Sequence, residues 1–240
     1  MPILTHFVPD VLRQAVLKDC IDDYGVAEDE NAEWPNNILS RRAIVYGNGT
    51  IARVGEPVVF NADSDELDLC IRLANEAATI MEGEAVGMGS ESNAGFSAFW
   101  ICANGDEVPR HIDEHLIRAR FGHTIFPQAT IKIEPISVTA DLLKRVRQEL
   151  EEAEEDDPTS APEYRQSIEK WQMLIKWFGK QAEFRESAWV AIGDEDELWK
   201  LPKDQYPPGT EMTPSVLPRL LLGLTYAGSL CGLFGFVVYT

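Results

Sequence analysis

The chain has 240 residues, 45% of them hydrophobic and 25% charged, an ordinary globular composition that excludes a chain left unfolded throughout. Its 40 acidic residues against 21 basic ones give a net charge of -19, a field that repels phosphate backbones and anionic lipid, so direct nucleic-acid binding is not expected. Basic proteins are attracted by the same field.

One α+β domain over 1–240 is the expected organisation, with no internal repeat. The opening residues MPILTHFVPDVL lack a basic region, a sustained apolar run and a small-residue cleavage site, so a cytoplasmic protein is expected and an exported one is not. Val11, Leu12, Ala15, Val16 and Cys20 predict a helix over 10–23, and a loop follows at 28–37. The runs 43–46 and 50–54 flank Gly47-Asn48-Gly49, which predicts a hairpin because Asn-Gly tolerates positive φ. A short strand at 58–60 comes next.

Asp63, with Glu66 three residues on, predicts a capping-box start for a helix through Met81, its apolar stripe running Leu67, Cys70 or Ile71, Ala74, Ala78 and Met81. Gly83 closes that helix. The glycines Gly87, Gly89 and Gly95 read as a polar turn, since no lysine follows Gly87-Met88-Gly89 to make a phosphate loop. A buried strand is predicted over 96–103, a short helix over 109–120 and a strand over 130–134. Thr139 then opens a helix carrying Leu142, Leu143, Val146 and Leu150. Seven of the nine residues 149–157 are acidic, and 149–162 is expected to be an acidic inter-helix loop. The next helix, begun by Ser160, Pro162 and Glu163, presents Tyr164, Ile168, Trp171, Leu174, Ile175 and Phe178 on one side and should pair with its predecessor. Trp171 and Phe178, seven apart, share a face and read as core. A strand over 187–192 and an extended Pro-rich connector over 201–218 complete the pattern.

The apolar C-terminal segment 217–240 has two readings. Residues 220–239 carry no charge and have the length of about 20 residues that a membrane helix needs, with Gly228 and Gly232 at small-xxx-small spacing. Four glycines, Pro218 and the ending Phe236-Val237-Val238-Tyr239 favour a strand, turn and strand in a buried core. The core reading is preferred, and a C-terminal membrane anchor is the alternative. Irregular alternation of strands and helices points to an α+β fold, a mixed or antiparallel sheet of five to seven strands packed with four to five helices.

Cys20, Cys70, Cys102 and Cys231 form no C-x-x-C pair, so neither a zinc ribbon nor a dithiol redox motif is expected. They read as small buried hydrophobes in a reducing compartment, with two disulfides left open by the spacing.

The most specific short motif is His111-Ile112-Asp113-Glu114-His115. On a helix, His111 and His115 would share a face and could hold zinc while Glu114 acts as general base on a metal-bound water. Over these five residues the string resembles the inverzincin peptidase motif, which implies a later carboxylate ligand, Glu183 or Glu186, or His123 as a nearer substitute. Arg118 and Arg120 follow closely and would repel a dication, and Glu114 with Arg118 makes a favourable i, i+4 pair. No cofactor is therefore the primary expectation, with zinc the alternative.

With no convincing catalytic set, the expected function is an acidic, non-enzymatic inhibitory protein of the immunity or mimic type that masks a basic surface of a partner protein. Its expected contacts are Glu154, Glu155, Asp156, Asp157, Asp194, Glu195 and Asp196, with Trp199 as an aromatic anchor beside the acids. A zinc-dependent hydrolase and a membrane-anchored subunit of a complex are the alternatives.

Overall fold

The computed structural model describes residues 43–45, 51–53, 63–86, 95–103, 108–121, 130–137, 141–156, 158–193 and 215–239. The helix expected at 10–23, the loop at 28–37, the strand at 58–60 and the connector up to residue 214 lie outside those residues. The runs flanking Asn48-Gly49 pair as a hairpin, β1 (Ala43–Val45) antiparallel to β2 (Ile51–Arg53) with Val45 opposite Ile51.

The charge-free run after Arg219 supplies the centre of a second sheet. Glycines and a β-branched, aromatic ending disfavour helix there, and the chain forms β6 (Ser215–Thr225) and β7 (Leu230–Tyr239) around a tight turn. The Thr225 N–H donates to the Ser229 carbonyl (2.9 Å), the Gly228 N–H to the Thr225 carbonyl (3.1 Å) and the Ser229 N–H to the Thr225 hydroxyl (3.0 Å). Outside this hairpin lie β3 (Ser97–Ile101), paired with β7, and β5 (Phe184–Ile192), paired with β6; β4 (Ile131–Pro135) pairs with β5. All five are antiparallel in the order β3-β7-β6-β5-β4. Pro135, which cannot donate to a ladder, sits on an edge strand, where it is tolerated.

Leu217, Leu220, Leu221, Leu222, Leu224, Leu230, Leu233 and Val237 have no exposed surface. Successive residues point to opposite faces of a strand, so the hairpin is covered on both sides, each such side chain contributing about 1.5–3 kcal/mol. Among the described residues no helix is long and apolar enough to cross a membrane.

Among the described residues four helices complete this α+β fold: α1 (Ser64–Ile80), α2 (Glu114–Phe121), α3 (Asp141–Asp156) and α4 (Ala161–Phe178). Asp63 caps α1, its carboxylate accepting from the backbone N–H groups of Asp65 (2.9 Å) and Glu66 (3.3 Å), which satisfies donors a helix start otherwise leaves unpaired. α1 lies across β7 and β3 and buries Cys70, Leu73, Ala74 and Ala77. Beside it, α4 buries Trp171, Leu174, Ile175 and Phe178, the stripe that a 3.6-residue period requires. Trp171 meets Phe96 edge-on at 5.5 Å, and Phe178 stacks on Phe184 at 5.8 Å. α3 packs on α4, and Arg145 forks onto both oxygens of Glu134 in β4 at 3.1 and 3.0 Å. The opposite face of the sheet receives the segment 108–121: Glu186, on that face by register, accepts from the Ile112 N–H at 2.8 Å.

The acidic run expected to leave helix at residue 149 stays helical to Asp156. Glu, Gln and Ala are strong helix formers; Gln148 donates to Glu152 one turn on (2.9 Å), and Arg165 of α4 reaches Glu154 (2.6 Å). A 3-10 turn at Pro158–Ser160 leads into α4.

Two glycines are fixed by close approach. The register shifts between Phe184 and Glu186, a bulge that turns the Phe184 ring into the space a β-carbon on Gly223 would occupy. A β-carbon on Gly232, whose φ is +154, would meet the Leu221 carbonyl. Gly223→Ala is expected to cost about 1–3 kcal/mol in urea unfolding, and that cost should shrink in a Phe184→Leu background. Gly232→Ala, obstructed by backbone, should show no such recovery.

Candidate functional site

The first turns of α1 land on the β6–β7 turn, and polar groups gather there. Asp63 makes its half of the capping box by accepting from the Glu66 N–H, while the Glu66 side chain turns to the sheet. Its Oε1 accepts from the Thr225 hydroxyl at 2.6 Å and from the Cys70 thiol at 3.9 Å, Cys70 being one turn further along the same face. Ser229 accepts from the Ala103 N–H at 2.9 Å, which pins the end of β3 to the turn.

Around these groups stand three free cysteines: Cys70 and Cys231 are buried and Cys102 is partly exposed. Cys231 lies opposite Trp100 in the register, and Cys102, two residues beyond Trp100, falls on the same side of the sheet. Cys102 and Cys231 hydrogen-bond to Cys70, and Ser229 adds a weaker bond; against the opposing effect of burial, these hold the Cys70 pKa down to about 4. Both partner thiols keep their protons toward Cys70, so their own pKa values are pushed up. The cysteines are expected as small buried hydrophobes, with two disulfides left open; three of them converge, none in a disulfide, while Cys20 lies outside the described residues. No spacing rule could have found the cluster, because one thiol comes from a helix, one from β7 and one from the residue just past β3, and these meet only in the folded sheet.

A cleft of about 980 Å³ opens between the end of α1 and α4, lined in part by Asn75, Thr79, Tyr164 and Gln166. Its charged lining is Glu82, Glu84 and Glu163 against one basic residue, Lys170. Lys170 bonds to Glu84 at 2.9 Å and to the Glu82 carbonyl at 2.6 Å, and Ser167 donates to Glu84 at 2.5 Å. Lysine, carboxylate and hydroxyl are thus joined in one hydrogen-bonded cluster.

The H-x-x-E-H residues take up different positions from those expected. Asp113 caps α2, its carboxylate accepting from the Leu116 N–H at 2.7 Å, so the helix starts at Glu114, and not near Pro109. His111 precedes the helix, and the one-face geometry of residues four apart does not hold for it. Its Nδ1 is 3.4 Å from Glu186 on a 77% exposed side chain, and Glu186 already caps the Ile112 N–H. Glu114 is held by Arg118 at 2.8 Å and His115 is exposed. Glu183 pairs with Arg72 at 3.0 Å. Among the described residues no three His, Cys, Asp or Glu side chains are placed to hold a metal ion.

Of the expected partner contacts, Glu154 and Glu155 stand near the C-terminal end of α3, Glu155 exposed and Glu154 paired with Arg165. Asp156 is the last residue of that helix. Asp157, Asp194, Glu195, Asp196 and Trp199 lie outside the described residues, as does His123. Comparison with known proteins finds no family model and no curated protein that matches this chain.

The bond between Glu66 and Thr225 is the strongest test of the site's geometry. Glu66→Ala and Thr225→Val are each expected to cost about 1 kcal/mol in chemical denaturation, and the double variant to cost less than their sum by roughly 0.5 kcal/mol or more.

Proposed function

We propose that the protein is an acidic, non-enzymatic binding protein that masks a basic surface of a partner protein, as immunity-type inhibitors and nucleic-acid mimics do. One observation carries the reading: the charge polarity of α3 runs against its dipole. Lys144, Arg145 and Arg147 occupy its N-terminal half, while Glu151, Glu152, Glu154 and Glu155 occupy its C-terminal half, with no basic residue in the last turn. The negative end of the peptide dipole disfavours carboxylates there. Glu151 with Glu155 and Glu152 with Glu155 are also like-charge pairs at i, i+4 and i, i+3, each costing about 0.2–0.5 kcal/mol.

Beyond the bonds that Gln148 and Arg165 make to Glu152 and Glu154, folding gains little from such an arrangement, which supports a role outside stability, since real sequences break local rules mainly at functional sites. Arg165 neutralises only Glu154. Glu151 and Glu155 are exposed, and the net charge of -19 extends their field outward. A protein surface rich in Lys and Arg is the complementary partner, reached at a rate that salt suppresses. Asp157, Asp194, Glu195, Asp196 and Trp199 belong to this proposal on their sequence pattern alone.

The triple variant E151Q/E152Q/E155Q separates the two consequences. It is expected to unfold at a higher midpoint than the unmodified protein, by roughly 0.5–1 kcal/mol, while losing a partner that the immobilised unmodified protein captures from its own host at low salt and releases as salt is raised. Capture unchanged by the triple substitution, or insensitive to salt, would refute the reading.

A further inference from the structure

We propose that Cys70 and Cys102 form a reversible disulfide when the protein meets hydrogen peroxide, tying α1 to the end of β3. The cluster is built by three elements that the fold brings to one place. α1 crosses β3 and β7, Cys231 is fixed on β7 by its register with Trp100, and the Ala103–Ser229 bond holds Cys102 beside the β6–β7 turn.

Simple apolar packing does not require the polar groups found there. Glu66, Thr225 and Ser229 are hydrogen-bonded around the thiols, and hydrogen bonds onto the Cys70 sulfur favour its thiolate, the nucleophilic form. Cys102 is the partner because it is the one thiol of the three with exposed surface, so peroxide can enter and water can leave beside it. Cys70 and Cys231 both lack exposed surface, so the route to the Cys70 sulfur runs past Cys102, while Cys231 is held on a central strand.

The chemistry closes in two steps. The Cys70 thiolate attacks one peroxide oxygen, forming an S–O bond as the O–O bond breaks, and the departing hydroxide takes up a proton to leave as water. Cys102, giving up its proton, then attacks the Cys70 sulfur of the sulfenic acid; the S–S bond forms, the S–O bond breaks, and a second water carries away the oxygen. Two thiols are oxidised and one peroxide is reduced to two waters. A dithiol reductant reverses the step.

Trypsin cuts after Lys18, Arg41, Arg53, Arg72, Arg110 and Arg219, so the four cysteines fall on four different peptides. The full chain is treated with a slight excess of hydrogen peroxide, blocked with an alkylating agent and mapped without reduction. Expected are a linked pair of peptides holding Cys70 and Cys102, its loss on adding dithiothreitol, its persistence in Cys231→Ala, and formation at least about tenfold faster in the folded protein than in concentrated urea. Thiols that survive peroxide, a link from Cys70 to Cys231 or Cys20, oxidation of Cys70 without a link, or equal rates in folded and unfolded chain would each overturn the proposal. The unmodified chain supplies the decisive map, so the test stands even where a substitution prevents folding.

Discussion

The burial of the β6–β7 hairpin on both faces is the constraint from which the other contacts follow. Its leucines need cover above and below, and its two long edges need partners, because an unpaired strand edge leaves backbone donors and acceptors without bonds. β5 and β3 satisfy the edges. α1 and α4 cover one face, and the segment 108–121 reaches the other. Even the glycines are explained by this arrangement, since Gly223 gives way to a phenylalanine ring from the neighbouring strand and Gly232 to a carbonyl of its own hairpin.

The two regions with chemical character lie apart on this frame. Carboxylates crowd the C-terminal end of α3, where they face solvent and oppose the helix's own field. Thiols and hydroxyls collect where the start of α1 meets the sheet, most of them shielded from solvent. One region is a matter of exposed charge, the other of buried thiols, and neither includes the residues of the cleft, whose lysine, glutamate and serine bond to one another. The histidine motif contributes to architecture: Asp113 sets the helix start and Glu186 holds the Ile112 N–H.

Legibility in the sequence followed the range of the forces involved. α1, α4 and the β1–β2 hairpin were readable because each is set by local rules: an Asp cap, a 3.6-residue apolar stripe, and β-prone runs about an Asn-Gly pair. The acidic half of α3 was misread as a loop because charge repulsion is visible in the sequence, whereas the bonds from Gln148 and from Arg165 on the neighbouring helix that offset it depend on helix packing. The start of α2 was placed too early, since Pro109 and Asp113 both carry start signals and only Asp113 has its side chain on a backbone donor. For the thiols nothing local existed to read: Cys70, Cys102 and Cys231 become neighbours through strand order, which composition and periodicity do not encode.

β6 and β7 come after all the other described elements in the sequence, yet they occupy the middle of the sheet. During translation, β4 and β5 can pair as soon as both have left the ribosome, but β3 emerges long before β7 and must wait for it. α1 likewise has its apolar stripe ready with no sheet to receive it. The nascent chain therefore carries exposed aliphatic surface until β6 and β7 appear, which makes its assembly dependent on long-range contacts.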